Sequence, residues 1–296
     1  MILGRTLTKA SIIFCAVAAA FSASVAPVKA QSITDRVLKD GAITIGIHNV
    51  APWGYVDKDG EAAGLGPDTV RAVLGPLGVK KINFVIMDWG ALIPSLMARR
   101  IDAVASGMSV TEQRCKQVIF SNPDVVIGDG VLVRAGNPHN IHSYQDITKD
   151  SSLILSGMRG NSTIENALKA GVPKGQILEF PDTRAGIAAL LAGRTVADTE
   201  SFATASNIVK DPNLKGKVEI ATPFKGPLLA NGLEAANYAA IAFRPEDQKL
   251  RDLYNESQGK LKRDGTLKKI LVKDGFEKSP LAPDGTTPKS LFPGCS

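Results

Sequence analysis

Short apolar runs alternate with amphipathic stretches in the first part of the chain. Runs rich in β-branched residues at 43–48, 82–87 and 101–106 predict buried strands. Between them, the apolar residues recur at helical spacing over 67–77 and 91–99. Strands that alternate with helices in this way form parallel sheets with crossover helices. The pattern therefore predicts an α/β fold.

A second set of the same kind follows the long apolar run at 125–133. It comprises predicted strands at 153–157, 177–180 and 217–221 and predicted helices near 163–170, 184–192 and 201–210. The chain becomes extended again at 239–244 and then helical and highly charged over 245–274. A segment rich in Pro, Gly, Ser and Thr at 279–293 predicts a loose tail.

The two sets predict two α/β lobes, each a mainly parallel sheet flanked by helices and joined by two crossover strands. We expect residues 31–133 and 240–296 to form lobe 1 and residues 134–239 to form lobe 2. In open sheets of this kind ligands bind beyond the carboxyl ends of the strands. We therefore expect the ligand contacts in the turns that follow strands.

The first thirty residues have the pattern of a secretory signal peptide. Arg5 and Lys9 precede an apolar stretch at 11–25, and Val28 and Ala30 are small residues at the expected cleavage positions. Cleavage after Ala30 would leave a mature chain outside the cytoplasm. No later segment has the length of a membrane span.

The formal net charge is +6, and the leader supplies three of these charges. The remaining +3, over a chain long enough for about two domains, does not indicate a nucleic-acid-binding surface. Cys115 and Cys295 are the two cysteines that remain after cleavage. An even count in an oxidising compartment favours a disulfide between them, and two free thiols are the alternative.

The segment 106–115, SGMSVTEQRC, carries the most specific candidate chemistry. Ser109 follows a predicted strand, and Glu112 stands three residues later, as a helix capping box requires. A helix start attracts anions, and the planar guanidinium of Arg114 matches a carboxylate with two parallel hydrogen bonds. The segment thus predicts a carboxylate site, with an ordinary helix cap and a surface arginine as the alternative.

The two tryptophans of the chain, Trp53 and Trp89, both follow predicted strands of the first set. Aromatic rings at ligand-side strand ends can stack on a delocalised cation. Packing residues are the alternative. Together with a carboxylate site, the rings point to a zwitterionic solute.

Other motifs are weak. The glycine pair at 64 and 66 lacks the third glycine of a dinucleotide fingerprint, and the three histidines are too scattered for a metal site. No G-x-S-x-G nucleophile elbow occurs. We expect neither a cofactor nor a metal.

Several segments together carry a resemblance that covers essentially the whole mature chain. They are ITIGIHNVAPWGY from residue 43, ALIPSL from residue 91, SGMSVTEQR from residue 106, the turn at 160–163 and AFRPEDQKLRDLYN from residue 242. In these segments the chain resembles family 3 extracellular solute-binding proteins. These are periplasmic receptors of ATP-binding cassette (ABC) importers for polar amino acids and related solutes.

The resemblance implies the type II periplasmic binding protein fold and a role for each matching residue. Arg114 would grip the solute carboxylate, with Ser109, Ser106 and Gly107 adding hydroxyl and amide contacts, and Thr163 would help from the second lobe. Trp89 and Trp53 would pack on the solute. Near 198–201, Asp198, Glu200 and Ser201 compete to hold its cation, and an exposed acidic loop is the alternative.

Within the family, the chain looks most like ectoine and hydroxyectoine binders, so these solutes are the first expectation. Ser109, however, stands where ectoine binders usually have a third aromatic residue and where amino-acid binders have serine. A polar amino acid is therefore the alternative solute. The alternative from another class is a cyclohexadienyl dehydratase-like enzyme on the same scaffold. As a receptor, the protein would be a periplasmic monomer that presents its solute to the membrane permease of an ABC importer.

Overall fold

The computed structural model describes residues 32–227 and 235–296. The predicted signal peptide lies outside these residues. Within them, no helix is long and apolar enough to cross a membrane.

The described residues form thirteen strands: β1 (Ala42–Ile47), β2 (Tyr55–Val56), β3 (Ala62–Ala63), β4 (Lys81–Ile86), β5 (Ala103–Ser109), β6 (Ile119–Phe120), β7 (Val125–Ile127), β8 (Asp129–Arg134), β9 (Leu155–Met158), β10 (Ile177–Phe180), β11 (Ala197–Ser201), β12 (Val218–Ile220) and β13 (Asn237–Phe243).

The same residues form eleven α-helices: α1 (Ile33–Asp40), α2 (Leu65–Leu74), α3 (Leu92–Met97), α4 (Glu112–Cys115), α5 (Tyr144–Thr148), α6 (Ser162–Lys169), α7 (Thr183–Leu191), α8 (Phe202–Ile208), α9 (Gln248–Arg263), α10 (Thr266–Lys273) and α11 (Pro288–Leu291). Short 3-10 turns occur at Gly75–Leu77, Trp89–Ala91, Lys174–Gln176 and Pro245–Asp247.

The first sheet, called sheet I here, has the strand order β4-β1-β5-β13-β6, with β7 also paired to β13. Strand β1 is parallel to β4 and β5, and β13 is antiparallel to β5. Helix α9 packs on sheet I, and the Ser257 hydroxyl donates to the Val73 carbonyl of α2. Leu250 and Tyr254 of α9 are part of the same apolar core as β1, so the chain returns to the first sheet.

The second sheet, sheet II, has the order β10-β9-β11-β8-β12. Strand β9 is parallel to β10 and β11, whereas β8 is antiparallel to β11 and β12. Each sheet is thus mixed, with a parallel half and antiparallel strands beside it. The predicted α/β fold with two helix-flanked sheets is confirmed.

The apolar run at 125–133 divides between the two sheets. Strand β7 pairs in sheet I, whereas β8 pairs in sheet II, so the chain first crosses at Gly128 and not after residue 133 as expected. Strand β13 carries the chain back to sheet I, and pairs there from Asn237. The division into two lobes stays a prediction, with its first boundary moved by these pairings.

The tail is not loose, because Cys115 and Cys295 form the predicted disulfide. Leu291 and Phe292 pack against the apolar cluster around Leu92 and Phe120, and Cys295 is buried in it. Trp89 also packs on this cluster. The tail therefore lies under the elements that carry the predicted carboxylate site.

The prediction that Ser109 caps a helix is wrong. Ser109 is the last residue of β5 and pairs with Ala239, so its backbone belongs to the sheet. The helix begins three residues later, and its N-cap is Thr111, whose hydroxyl accepts from the Arg114 backbone N–H at 3.3 Å. Strand pairing thus displaces the cap by two residues.

Candidate functional site

A cleft lies where the carboxyl ends of strands from both sheets meet. Its empty volume, including the open mouth, is about 470 Å³. From the sheet I side and the crossover strands it is lined by His48, Val50, Trp53, Trp89, Ser106, Gly107, Ser109, Ile127 and Asn237, and from the sheet II side by Met158, Asn161, Ser162, Thr183, Glu200, Ser201 and Thr204. This is the position where open α/β sheets bind ligands.

The end of β5 forms one wall of the cleft. The Ser106 hydroxyl accepts from the His48 backbone N–H at 2.8 Å and lies 3.3 Å from the His48 carbonyl, so it fixes the loop after β1. Gly107 has a positive φ of 68°, and a Cβ there would lie 2.2 Å from the Trp53 ring. Only glycine lets Trp53 lie against this strand.

Both tryptophans line the cleft, and both bond to the sheet II side. The indole N–H of Trp53 lies 3.1 Å from the hydroxyls of Ser201 and Thr204, and its ring packs edge-on against Phe276. The indole N–H of Trp89 donates to the Gly160 carbonyl at 3.2 Å. The two rings therefore close the cleft as well as line it.

Arg114 lies behind the cleft wall formed by Ser109 and Trp89. Its guanidinium donates to the Ser109 carbonyl at 2.7 Å and to the Gly160 carbonyl at 2.8 Å, and it lies 5.3 Å from the Trp89 ring centroid. The side chain is 7% exposed, and burial lowers its pKa to about 10, so it remains charged at neutral pH. Two bonds leave further N–H donors of the guanidinium for a ligand.

The start of α6 forms the facing wall. Asn161 is the N-cap of this helix, and the Ser162 hydroxyl is 3.1 Å from that of Ser109 across the cleft. Thr163, which the sequence predicted as a contact, does not line the cleft: its hydroxyl donates to the Thr199 carbonyl at 3.1 Å. Ser162 occupies the place expected for Thr163.

Glu200 is the acidic residue that faces the cleft from β11. It is 2% exposed, its Oε1 has no hydrogen-bond partner among the described residues, and its Oε2 lies 3.5 Å from the Asn161 amide. Burial raises the pKa of Glu200, and the nearby Asp198 carboxyl raises it further. A cation in the cleft would therefore find an acidic group without a charged protein partner.

Asp198 does not line the cleft. It is fully buried and accepts from the Ser156 hydroxyl at 2.8 Å, and burial raises its pKa. Alternate residues on a strand share a face, so Asp198 and Glu200 point to the same side, but Asp198 lies about 7 Å further from the strand end. Ser201, the third candidate, lines the cleft and bonds to Trp53.

The two crossover strands are joined beside the cleft. Asp129, at the start of β8, accepts from the Asn237 amide of β13 at 2.8 Å and from the Tyr144 hydroxyl at 2.7 Å. Burial raises the pKa of Asp129 to about 6, although these bonds oppose the rise. Asn237 itself lines the cleft, so the contact between the two crossover strands borders the candidate ligand site.

The sequence missed several lining residues. His48 was considered only as a metal ligand, although its position at the end of β1 is a signal that could have identified it. Asn161 and Ser162 directly precede the predicted Thr163 in the sequence. Knowing that α6 begins at Ser162 would have shown which of these neighbours faces the cleft. Nothing local marks Ile127, Met158, Thr183, Thr204 or Asn237, because the fold alone brings them to the cleft.

The arrangement offers an anion-binding wall and a cation-binding wall. Arg114 and the N-terminus of α6 are positive and lie together at Gly160, because a helix start attracts anions. Glu200 is acidic, and its Oε2 lies close to the N-cap residue of the same helix. Among the described residues, no group of three or more His, Cys, Asp or Glu side chains could hold a metal. Small polar zwitterions fit this chemistry.

The chain is similar to proteins of one known family. Residues 43–274 match the family model of bacterial extracellular solute-binding proteins, family 3. The probable amino-acid ABC transporter periplasmic-binding protein y4tE of Sinorhizobium fredii is 35% identical over 276 residues, which is 92% of this chain and 90% of that protein.

Two more distant relatives are known with their solutes. The lysine/arginine/ornithine-binding periplasmic protein of Escherichia coli K12 is 26% identical over 75% of this chain and 83% of its own length. The crystal structure of EhuB in complex with hydroxyectoine is 28% identical, with a TM-score of 0.74, and the match covers 87% of this chain and 96% of that one.

Proposed function

The chain belongs to family 3 of the bacterial extracellular solute-binding proteins, and we propose that its cleft captures a small zwitterionic solute through a carboxylate and a cationic group. The family comprises solute-binding proteins and not enzymes, so the dehydratase alternative is set aside. Amino-acid-like solutes and an ABC importer are what the relatives support. One observation carries the finer proposal: the acidic Glu200 side chain lines the cleft, and the Arg114 guanidinium lies directly behind its wall, bonded to the Ser109 and Gly160 carbonyls.

The carboxylate is proposed to bind between β5 and the start of α6. Arg114 supplies N–H donors beside Trp89, and Ser109 and Ser162 place hydroxyls on opposite walls 3.1 Å apart. The α6 N-terminus adds the positive end of its helix dipole. A charge-assisted contact of this kind contributes about 1.5 to 3 kcal/mol.

The cationic group is proposed to bind Glu200. A buried carboxylate without a charged partner is costly, and a cationic ligand removes that cost by pairing with it. Trp53 and Trp89 supply aromatic surface to the same cleft, which suits a delocalised cation. This pairing selects zwitterions over simple carboxylates.

Ectoine and hydroxyectoine are the first candidate solutes. They are compact, and they combine a carboxylate with a delocalised cationic ring, and EhuB binds hydroxyectoine in a related fold. Ser109 favours the second candidate, a polar amino acid, because its hydroxyl faces the cleft where an aromatic wall would otherwise enclose the ring. The relatives include proteins named for basic amino acids.

Capture is proposed to proceed by closure of two lobes around the solute. Bonds across the cleft join Trp53 to Ser201, Trp89 and Arg114 to Gly160, and Ser109 to Ser162. A solute that touches both walls stabilises the closed state in preference to an open one. We propose that a periplasmic monomer presents this closed form to the permease of an ABC importer.

Replacement of Arg114 tests the proposal. We expect Arg114→Ala to weaken the binding of the preferred solute by about 2 to 3 kcal/mol, or roughly 30- to 150-fold in Kd. Arg114→Lys is the matched control, because it keeps the charge and loses the planar guanidinium. Its Kd should therefore lie between those of the wild-type protein and Arg114→Ala. A Kd that is the same for all three proteins would refute the carboxylate assignment.

A further inference from the structure

One polar atom of the cleft has no partner in the proposed binding of the solute carboxylate and cationic group. The Nε2 atom of His48 is buried, has no hydrogen-bond partner among the described residues, and belongs to a side chain that lines the cleft. The His48 side chain is 9% exposed. A buried polar atom left without a partner destabilises a protein, so a ligand is the natural source of one.

The hydrogen bond at the other ring nitrogen fixes the chemistry of this atom. Nδ1 of His48 lies 3.3 Å from the Met87 carbonyl oxygen, and a carbonyl can only accept. Nδ1 therefore carries the proton, and in the neutral ring Nε2 is an acceptor. His48 therefore presents to the cleft a lone pair that can accept a hydrogen bond from a ligand.

The ring is also held in place. The Ser106 hydroxyl binds the backbone N–H and carbonyl of His48, and the Trp89 ring lies edge-on at 6.1 Å between ring centroids. A side chain fixed on both backbone and ring loses little entropy when it accepts a hydrogen bond. Ser106, whose backbone was expected to contact the solute, acts through its hydroxyl as a positioning residue for His48.

We propose that His48 is a specificity-determining residue that accepts a hydrogen bond from a third polar group of the solute. That group is a hydroxyl or an amine separate from the carboxylate at Arg114 and from the cation at Glu200. The inference rests on the proposed function and narrows it. The preferred solute is a zwitterion that carries an additional donor, and its counterpart without that donor is discriminated against.

Two matched pairs of solutes test this inference by calorimetric titration. Hydroxyectoine and ectoine differ by one hydroxyl, and L-ornithine and L-norvaline differ by one amine. In whichever pair binds, we expect the wild-type protein to prefer the donor-bearing member by about 10- to 100-fold, which corresponds to about 1.4 to 2.8 kcal/mol. The unpaired Nε2 causes the loss for the other member.

Two variants assign the preference to His48. His48→Phe keeps a ring and removes the acceptor, so the preference should disappear, because the donor-bearing member loses its hydrogen bond and the other member no longer leaves Nε2 unpaired. His48→Gln restores an acceptor near the position of Nε2 and should restore part of the preference. Thermal unfolding of both variants establishes that they are folded.

The outcomes separate the inference from the proposed function. If the wild-type protein binds both members of a pair equally, or if His48→Phe keeps the preference, the inference is overturned and the carboxylate and cation assignments stand. If Arg114→Ala binds these solutes as well as the wild-type protein does, the proposed function fails. If no member of either pair binds, the inference is overturned, and the proposed function is decided by the wider panel of zwitterions.

Discussion

Replacement of Glu200 by glutamine gives a sharp test of the cation site, because glutamine keeps the shape and removes the charge. The Glu200 carboxyl is 2% exposed, and Asp198 and burial both raise its pKa. In the unliganded protein it is therefore protonated to a higher pH than an ordinary glutamate. A cationic group can pair with it fully only after the proton leaves.

This linkage sets both a sign and a magnitude. Below the raised pKa, binding of a cation releases up to one proton, so Kd falls by up to about tenfold for each unit of rising pH, and it levels off above that pKa. At the plateau, loss of the charge-assisted contact in Glu200→Gln costs about 1.5 to 3 kcal/mol, or roughly 10- to 150-fold in Kd. The variant should also lose the pH dependence.

Calorimetric titration in two buffers of different ionisation enthalpy counts the released protons directly. The measurements run from about pH 6 to about pH 9.5, a range that brackets the Glu200 pKa of about 8, with the wild-type protein, Glu200→Gln and Asp198→Asn. Asp198→Asn is the matched control, since Asp198 is buried nearby and does not line the cleft. Asp198→Asn removes the charge that raises the pKa of Glu200. The pH dependence of solute binding should therefore move to lower pH in this variant.

Three results would refute this reasoning. The first is an unchanged affinity in Glu200→Gln at the plateau. The second is the same proton release in Glu200→Gln as in the wild-type protein. The third is a wild-type affinity that falls as the pH rises over this range, because the sign of the linkage allows only an increase.

Two further predictions concern stability. Burial raises the pKa of Asp124 from 3.8 to about 7, so the folded state holds a proton that the unfolded state releases, and stability is lost as the pH rises from about 4 to about 7. In urea unfolding, Asp124→Asn should remove up to about 4 kcal/mol of the change in the free energy of unfolding over this pH range. If the free energy of unfolding of the variant varies with pH as it does in the wild-type protein, Asp124 is not its source. The paired change Cys115→Ser and Cys295→Ser, which removes the disulfide, should lower the free energy of unfolding by about 2 to 5 kcal/mol. Urea unfolding without reductant measures this loss, and an unchanged midpoint would count against it.

Local patterns predicted the α/β fold because its main strands and helices are encoded locally. The strands β1, β4 and β5 fall within one to three residues of their predicted positions, since alternating α and β segments leave few arrangements open. The assignment of Val125 and Asp129 to different sheets was not predictable from the apolar pattern. It depends on which distant strand each one pairs with.

The site was harder to predict because it depends on side-chain direction. One residue along a helix turns by about 100°, which is why Ser162 and not Thr163 lines the cleft. Asp198 and Glu200 share a strand face, and only their depth in the sheet separates them. Ser109 lines the cleft as the end of a strand and not as a helix cap.

The tail shows how composition misleads when a covalent bond intervenes. Its Pro, Gly, Ser and Thr content predicted a loose segment, yet the disulfide at Cys115 holds it against the cluster beneath Trp89. The cysteine count was the better guide.

Calorimetric titration of the wild-type protein with ectoine, hydroxyectoine, glycine betaine, proline, arginine and glutamate tests the central claim most directly. We predict saturable one-to-one binding of a zwitterion whose cationic group can donate a hydrogen bond, with hydroxyectoine or a polar amino acid above glycine betaine. Binding of none of these solutes, or tightest binding of glycine betaine, whose cation has no N–H, would contradict the account.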